Sequence, residues 1–162
     1  MVFWAAIIGL NPAYALDVTR QRDGEWVVVT AELPHATATI RNLLRQDAKT
    51  MSIGSGVRSV KTKPLPNGCT QVEVANNGLG RNYSYTAERC AIENGWHSKM
   101  TSSPDFKDHQ IIWETVPSDG GSQVTIRVKV EPKFPVPRFI MTRVVGGALA
   151  ETLEKMDAML AK

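Results

Sequence analysis

Hydrophobic and polar residues alternate along most of this chain, and in two places the alternation gives way to helical spacing. The clearest alternation is Val124-Thr-Ile-Arg-Val-Lys-Val130, where every second side chain is apolar and so falls on one face of a strand. Further strand-like segments lie near 57–64, 69–76, 82–93, 95–103 and 109–117. Trp26-Val-Val-Val-Thr30 is rich in β-formers, and residues 16–33 read as one extended region kinked at Asp23-Gly24. From His35 to Arg45 the spacing turns helical: Thr37, Ile40 and Leu44 share a side that Ala36 and Leu43 widen. Residues 48–56 read as a helical turn and a loop. After Pro135-Val-Pro137 a long helix is predicted over about 138–161. Its inner stripe is Met141, Val145, Ala148, Leu149, Thr152, Met156 and Met159, with Leu153 and Leu160 at the margin. A sheet and a helix with one dry face each cover one another. The expected fold class is therefore α+β, a curved antiparallel sheet wrapped round a long C-terminal helix.

Turn residues fix the pairing. Asn67-Gly68 predicts a hairpin, and Pro64 and Pro66 suit an edge strand. A pivot at Asp119-Gly120 sets Ile111 opposite Val128, Trp113 opposite Ile126 and Thr115 opposite Val124, all on the dry face. Asn76-Asn-Gly-Leu-Gly80 predicts another hairpin, pairing the face of Val72 and Val74 with that of Tyr83, Tyr85 and Ala87. If Leu79-Gly80 is its two-residue turn, Cys69 and Cys90 lie opposite each other on the wetter face, where a disulfide is expected. Two unpaired thiols are the alternative. Gly146-Gly147 is costly inside a helix, and either leaves room for a ligand or lets the helix pack closely or bend.

The 162 residues amount to one domain, at 43% hydrophobic and 22% charged. Nineteen Lys and Arg are scattered for a net charge of +3, which argues against nucleic-acid binding and allows transient contact with an anionic membrane. The uncharged run Met1-Val-Phe-Trp-Ala-Ala-Ile-Ile-Gly-Leu10, broken at Asn11-Pro12 and followed by Ala13-Tyr-Ala15, is expected to be a signal peptide over residues 1–15. The mature domain would then be 16–162, in the periplasm or secreted, a setting that permits disulfides. A buried N-terminal strand or helix is the alternative.

One stretch is specific enough to suggest a family. Val128-Lys-Val-Glu-Pro-Lys-Phe-Pro-Val-Pro-Arg-Phe139 is similar to the strand-to-helix junction of the START-like (SRPBCC) superfamily, within it the bacterial polyketide cyclase/dehydrase and lipid-transport group. Leu33-Pro-His-Ala-Thr-Ala-Thr-Ile-Arg-Asn-Leu-Leu44 resembles that group's first helix. The resemblance covers about Asp17 to Leu160 and implies the helix-grip fold with a cavity between sheet and helix. It also implies one strand, a short helix pair, six antiparallel strands and the long helix. Exported relatives with a cysteine pair in the central strands fit Cys69 and Cys90.

Recognisable catalytic chemistry is sparse. His35, His97 and His109 are isolated and lack metal-ligand spacing, and no nucleophile motif or phosphate-cradling loop occurs. No metal, cofactor or catalytic residue is assigned. The expected function is an exported binding or carrier protein for a hydrophobic small molecule, such as a lipid, a quinone or a sterol-like compound. Val72, Val74, Tyr83, Tyr85, Trp113, Ile126, Met141, Val145 and Leu149 are the candidate ligand-binding residues. Tyr83 and Tyr85 are the expected polar handles, because a buried phenol needs a partner. The alternatives are a cyclase/dehydratase-like enzyme, for which Tyr83, Tyr85 and Glu114 are the only acid-base candidates, and a non-catalytic envelope interaction module.

Overall fold

In the computed structural model, which describes residues 16–78 and 80–162, the alternating segments form eight antiparallel strands of one sheet. In chain order they are β1 (Val18–Asp23), β2 (Trp26–Leu33), β3 (Val57–Pro64), β4 (Thr70–Gly78), β5 (Arg81–Ile92), β6 (Gly95–Ser102), β7 (Phe106–Ser118) and β8 (Gly121–Pro132). Helices α1 (Thr37–Leu44) and α2 (Asp47–Ser52) connect β2 to β3, and α3 (Arg138–Leu160) ends the chain. The sheet order is β1-β2-β8-β7-β6-β5-β4-β3, so the α1–α2 crossover links two distant strands of the sheet. Curved round α3, this sheet makes the helix-grip arrangement. Among the described residues no helix is long and apolar enough to cross a membrane. The signal peptide expected over residues 1–15 lies outside the described residues.

The turn-based registers hold. β7 and β8 pair Ile111 with Val128, Trp113 with Ile126 and Thr115 with Val124. β4 and β5 close at Gly78 and Arg81, which leaves residues 79 and 80 between them. One step beyond the paired Thr70 and Arg89, Cys69 and Cys90 form the disulfide, with Cα atoms 4.5 Å apart. A Cys69→Ser/Cys90→Ser variant should lose about 3 kcal/mol of stability on the chain-entropy model, roughly a 10 °C fall in midpoint for a domain of this size. Thermal melting with and without reductant checks this; an unchanged midpoint would show that the bridge adds nothing.

Two local expectations are corrected, and the Asn67-Gly68 hairpin holds with its loop now defined. The Asp23-Gly24 kink is a hairpin turn: Asp23 pairs with Trp26, Gly24 takes φ 59°, and the extended region becomes two strands, giving eight in all where seven were expected. The Asn67-Gly68 hairpin has a three-residue loop. The Gly68 amide donates to the Leu65 carbonyl (3.1 Å), the Leu65 amide donates to Cys69 (2.9 Å), and Gly68 sits at φ 84°. β7 begins at Phe106 because a register shift between Phe106 and Asp108 lets Phe106 and His109 both turn inward.

The interior splits into two packed groups. One joins Val27, Val29, Leu33, Trp113, Val124 and Ile126 of the sheet to Ile40, Leu43 and Leu44 of α1 and to Leu149, Leu153 and Met156 of α3. The other gathers Met51, Val72, Val74, Tyr85, Ala87 and Phe106. The groups meet at Ile111 and Val130, both only half-buried. Gly146 is buried against β1 and β2, where a Cβ would lie 3.7 Å from Arg20 and 3.8 Å from Val27. Neither it nor Gly147 lines the cavity described below, so the pair leaves no room for a ligand there; beside Gly147 nothing lies within 4 Å of where a Cβ would stand, so close packing does not account for that glycine.

Candidate functional site: a cavity between the two packed groups

A cavity of about 150 Å³ occupies the gap between those groups. β5 and β7 supply Tyr83, Tyr85, Phe106, His109, Ile111 and Trp113 to its wall, by alternation along β5 and from His109 onward in β7, with Phe106 turned inward by the register shift. α3 supplies Met141, Val144, Val145, Ala148, Leu149 and Thr152 at helical spacing, and α2 with its following loop supplies Thr50, Met51, Gly54 and Ser55. Of the candidate ligand-binding residues, Tyr83, Tyr85, Trp113, Met141, Val145 and Leu149 line this space. Val72, Val74 and Ile126 do not: they are at most 2% exposed and close-packed within the two groups. They share the dry face, but neighbours have already covered them.

A second hollow of about 230 Å³ adjoins the first, lined among others by Arg22, Glu25, Lys129, Val136 and Arg138. Both spaces are bounded by Val128, Val130, Met141 and Val145. An apolar chamber and a charged antechamber thus share those four residues as a common wall.

The chamber wall is mostly aromatic and aliphatic. Tyr83 and Phe106 meet edge to face at 5.2 Å, and the Tyr85 ring stacks on His109 at 4.0 Å. The Tyr83 hydroxyl lies over Gly78, where a Cβ would come within 2.6 Å of it, so glycine is what allows that close approach. Two wall hydroxyls are spent on backbone: Thr50 donates to Leu43 and Thr152 to Ala148, each at 2.8 Å. Three polar atoms of wall residues are buried with no partner among the described residues, namely His109 Nδ1, Trp113 Nε1 and Asn76 Oδ1. Such atoms are uncommon in folded chains and mark polar capacity held in reserve.

Burial governs the titration of these groups. It pushes the His109 imidazole down to about 4, outweighing the opposing pull of Asp108, so the ring is neutral at pH 7. It raises Tyr85 well above the usual phenol range, with the Tyr83 charge adding to the effect, and it raises Tyr83 as well. Among the described residues no lysine or arginine lines the chamber. Glu114, the one carboxylate considered as an acid-base group, is outside it: its side chain is 39% exposed and lies 3.8 Å from Arg127. His109 was missed although the signal was present, since two-residue alternation from Ile111 and Trp113 already places it on the inner face.

Among the described residues, the one metal-like grouping of Cys, His and carboxylates is Cys69, Glu88 and Cys90, and its two sulfurs are joined in the disulfide. The buried guanidinium of Arg89 lies outside the chamber and is structural. Arg89, 1% exposed, donates to the Leu44 carbonyl (2.7 Å) and to Asp47, while Asp47 also accepts from Thr70 (2.7 Å).

Comparison with known proteins agrees with this geometry. The chain is similar in structure to a START superfamily protein from Mycobacterium smegmatis, with TM-score 0.73, 13% identity, and coverage of 84% of this chain and 97% of that one. It is similar to the Zhui aromatase/cyclase from Streptomyces sp. R1128, with TM-score 0.69, 12% identity, and coverage of 84% and 93%. It is also similar to a STAR-related lipid transfer protein from Xanthomonas axonopodis, with TM-score 0.61, 12% identity, and coverage of 91% and 99%. At such identities these likenesses show the fold. No curated protein matches the chain by sequence. The family model for polyketide cyclase / dehydrase and lipid transport matches residues 18–157, nearly the whole described chain, and the chain therefore belongs to that family.

Proposed function

We propose that the chain is an exported carrier or binding protein that holds an uncharged, largely apolar small molecule between its sheet and α3. The observation that carries this reading is the division of the interior into two packed groups with an aromatic-lined space between them. Solved relatives named as lipid transfer proteins and as aromatase/cyclases support it. The wall favours neutral ligands, because an anion would enter a site with no lysine or arginine among its described residues and shed its hydration uncompensated. Ligand sites generally measure about 300–1,000 Å³, more than the 150 Å³ chamber alone. Swinging the flexible Met141 side chain joins the chamber to the 230 Å³ hollow beside it and brings the space into that range. Asn76, His109 and Trp113 give an oxygen-bearing ligand partners that a plain hydrocarbon lacks.

Filling the chamber tests the reading. Ala148 lines it from a half-buried position on α3. The wild-type chain should bind the neutral fluorescent probe N-phenyl-1-naphthylamine saturably, and Ala148→Trp should weaken that binding at least tenfold while melting stays within a few degrees. A wild type that binds no probe, or a variant that binds it equally well, would reject the cavity as a ligand site.

The presence of His109 in the chamber favours a second reading, cyclase/dehydratase-like catalysis. Its chemistry is weak for that role. The ring is held neutral near pKa 4, and Asp108 is engaged by Gln110 (3.1 Å) and Lys129 (3.2 Å). A base of such low pKa, with no carboxylate to orient it, takes a proton poorly at pH 7.

A further inference from the structure

The rim of the chamber has an unusual surface. Phe139, the second residue of α3, is 74% exposed, the most exposed large hydrophobic side chain described, and Val144 is 41% exposed. Val144 lines the chamber, and Arg138 lines the hollow beside it. Between Glu131 and Glu151 the sequence carries Lys133, Arg138 and Arg143 and no acidic residue. Arg138 and Arg143 are exposed and make no ion pair among the described residues, whereas the nearby Glu131 and Glu25 lie against Lys107 (3.9 Å) and Lys129 (3.0 Å). The first turn of α3 has no acidic residue and no side-chain cap, so its amide end adds partial positive charge.

This surface is held in place from below. The Lys133 amide donates to Asp105 (2.8 Å), its ammonium donates to Ser103 (2.9 Å), and the Arg81 guanidinium sits 4.0 Å over the Phe134 ring. The strap from β8 to α3 is thus tied to the loop after β6 and to the start of β5. The sequence continues from it directly into the exposed ring and the free cations.

We propose that the surface from Lys133 to Val144 docks on an anionic phospholipid bilayer. Phe139 enters the boundary between headgroups and acyl chains, and Arg138 and Arg143 meet lipid phosphates. An aromatic side chain flanked by unpaired cations matches the two attractions an interfacial element uses, apolar burial and charge. The proposal goes beyond the cavity reading, because it rests on outward-facing residues whatever the chamber holds. The two are also read separately, one by vesicle binding and the other by probe binding.

Co-sedimentation of the full chain with phosphatidylcholine vesicles, with and without phosphatidylglycerol, tests the proposal. Binding should require phosphatidylglycerol and weaken with salt. Arg138→Glu/Arg143→Glu should weaken it at least about fivefold for each arginine removed, and Phe139→Ser about tenfold, with melting unchanged because these side chains are exposed. Residues 1–15 are common to all variants, so the differences report the α3 surface alone. Equal binding to phosphatidylcholine alone, or variants that bind like the wild type, would overturn the proposal. So would salt-sensitive binding to soluble polyglutamate that ignores Phe139, which would mark a surface for an acidic protein.

Discussion

Asp47→Ala should destabilise the chain by about 3–5 kcal/mol, and Arg89→Met should cost clearly less. The reason lies in how unequally the two partners are buried. The Arg89 side chain has no exposure, while that of Asp47 keeps 24%. Removing Asp47 strands a guanidinium in the dry side of the sheet, with only the Leu44 carbonyl and the Trp96 ring, 5.4 Å away, to answer it. Burial already lowers the pKa of Arg89, and the hydrogen bond and charge of Asp47 work against that shift. Removing Arg89 instead leaves a carboxylate that still accepts from Thr70 and can rehydrate at the surface. The double variant Asp47→Ala/Arg89→Met should therefore be more stable than Asp47→Ala alone. Urea unfolding of the three variants decides the matter. Equal losses in both single variants, or a double variant at the sum of the two, would mean that the pair is not a coupled buried ion pair. Because the pair pins α2 and the end of α1 to β5, the same variants should also perturb the α2 side of the chamber, where Thr50 and Met51 lie.

Arg89 also shows where the reading of the sequence stopped short. Tyr83, Tyr85 and Ala87 were placed on the dry face by alternation, and two residues further the same rule places Arg89 there. A charge on a dry face is legible as a position, but its partner is not. Asp47 is 42 residues away, and only the crossover from β2 to β3 brings it close. The same division runs through the rest of the molecule. Registers set by tight turns are readable: Asp119-Gly120 sets three β7–β8 pairs, and the closure of β4 on β5 at Gly78 and Arg81 sets the cysteine pair, because a short turn leaves one register open to the strands it joins. β1 was merged with β2 because Val18-Thr-Arg-Gln-Arg-Asp23 is an edge strand with five of six residues exposed and hence no apolar alternation. The chamber was readable only in part. Alternation says which side chains face inward, but whether an inward face is packed or left open depends on where α1, α2 and α3 come to rest. Ile126 and Trp113 pair directly across β7 and β8, yet only Trp113 reaches the cavity.

The stability of the chain should fall between about pH 6.5 and pH 4, and His109 should account for up to about 3 kcal/mol of that fall. The folded chain holds His109 near pKa 4, whereas an unfolded histidine titrates near its ordinary 6.5. In that window the unfolded state binds the proton and the folded state does not, so acid favours unfolding. The contribution is complete above about pH 6.5, is lost as the pH falls, and changes no further below about 4, where both states are protonated. The slope cannot exceed about 1.4 kcal/mol per pH unit for one group. The neighbouring Asp108 acts lower on the scale. Burial tends to raise Asp108, but hydrogen bonds from Gln110 and Lys129 outweigh it and hold the pKa below the usual range. Its stabilisation is therefore present above the ordinary carboxylate pKa and is lost only below it, outside the histidine window. His109→Phe keeps a flat ring against Tyr85, which now stacks on His109 at 4.0 Å, and removes the titration. Urea midpoints measured from pH 7.5 to 4 should slope for the wild type and flatten for the variant, with most of the difference above pH 4.5. Parallel curves would show that the ring is not held neutral in the chamber. If the chamber carries a ligand that donates a hydrogen bond to the imidazole, bound ligand should lower the folded-state pKa of His109 further and carry the loss of stability below pH 4 at the same limiting slope, because protonating the ring then also costs that bond.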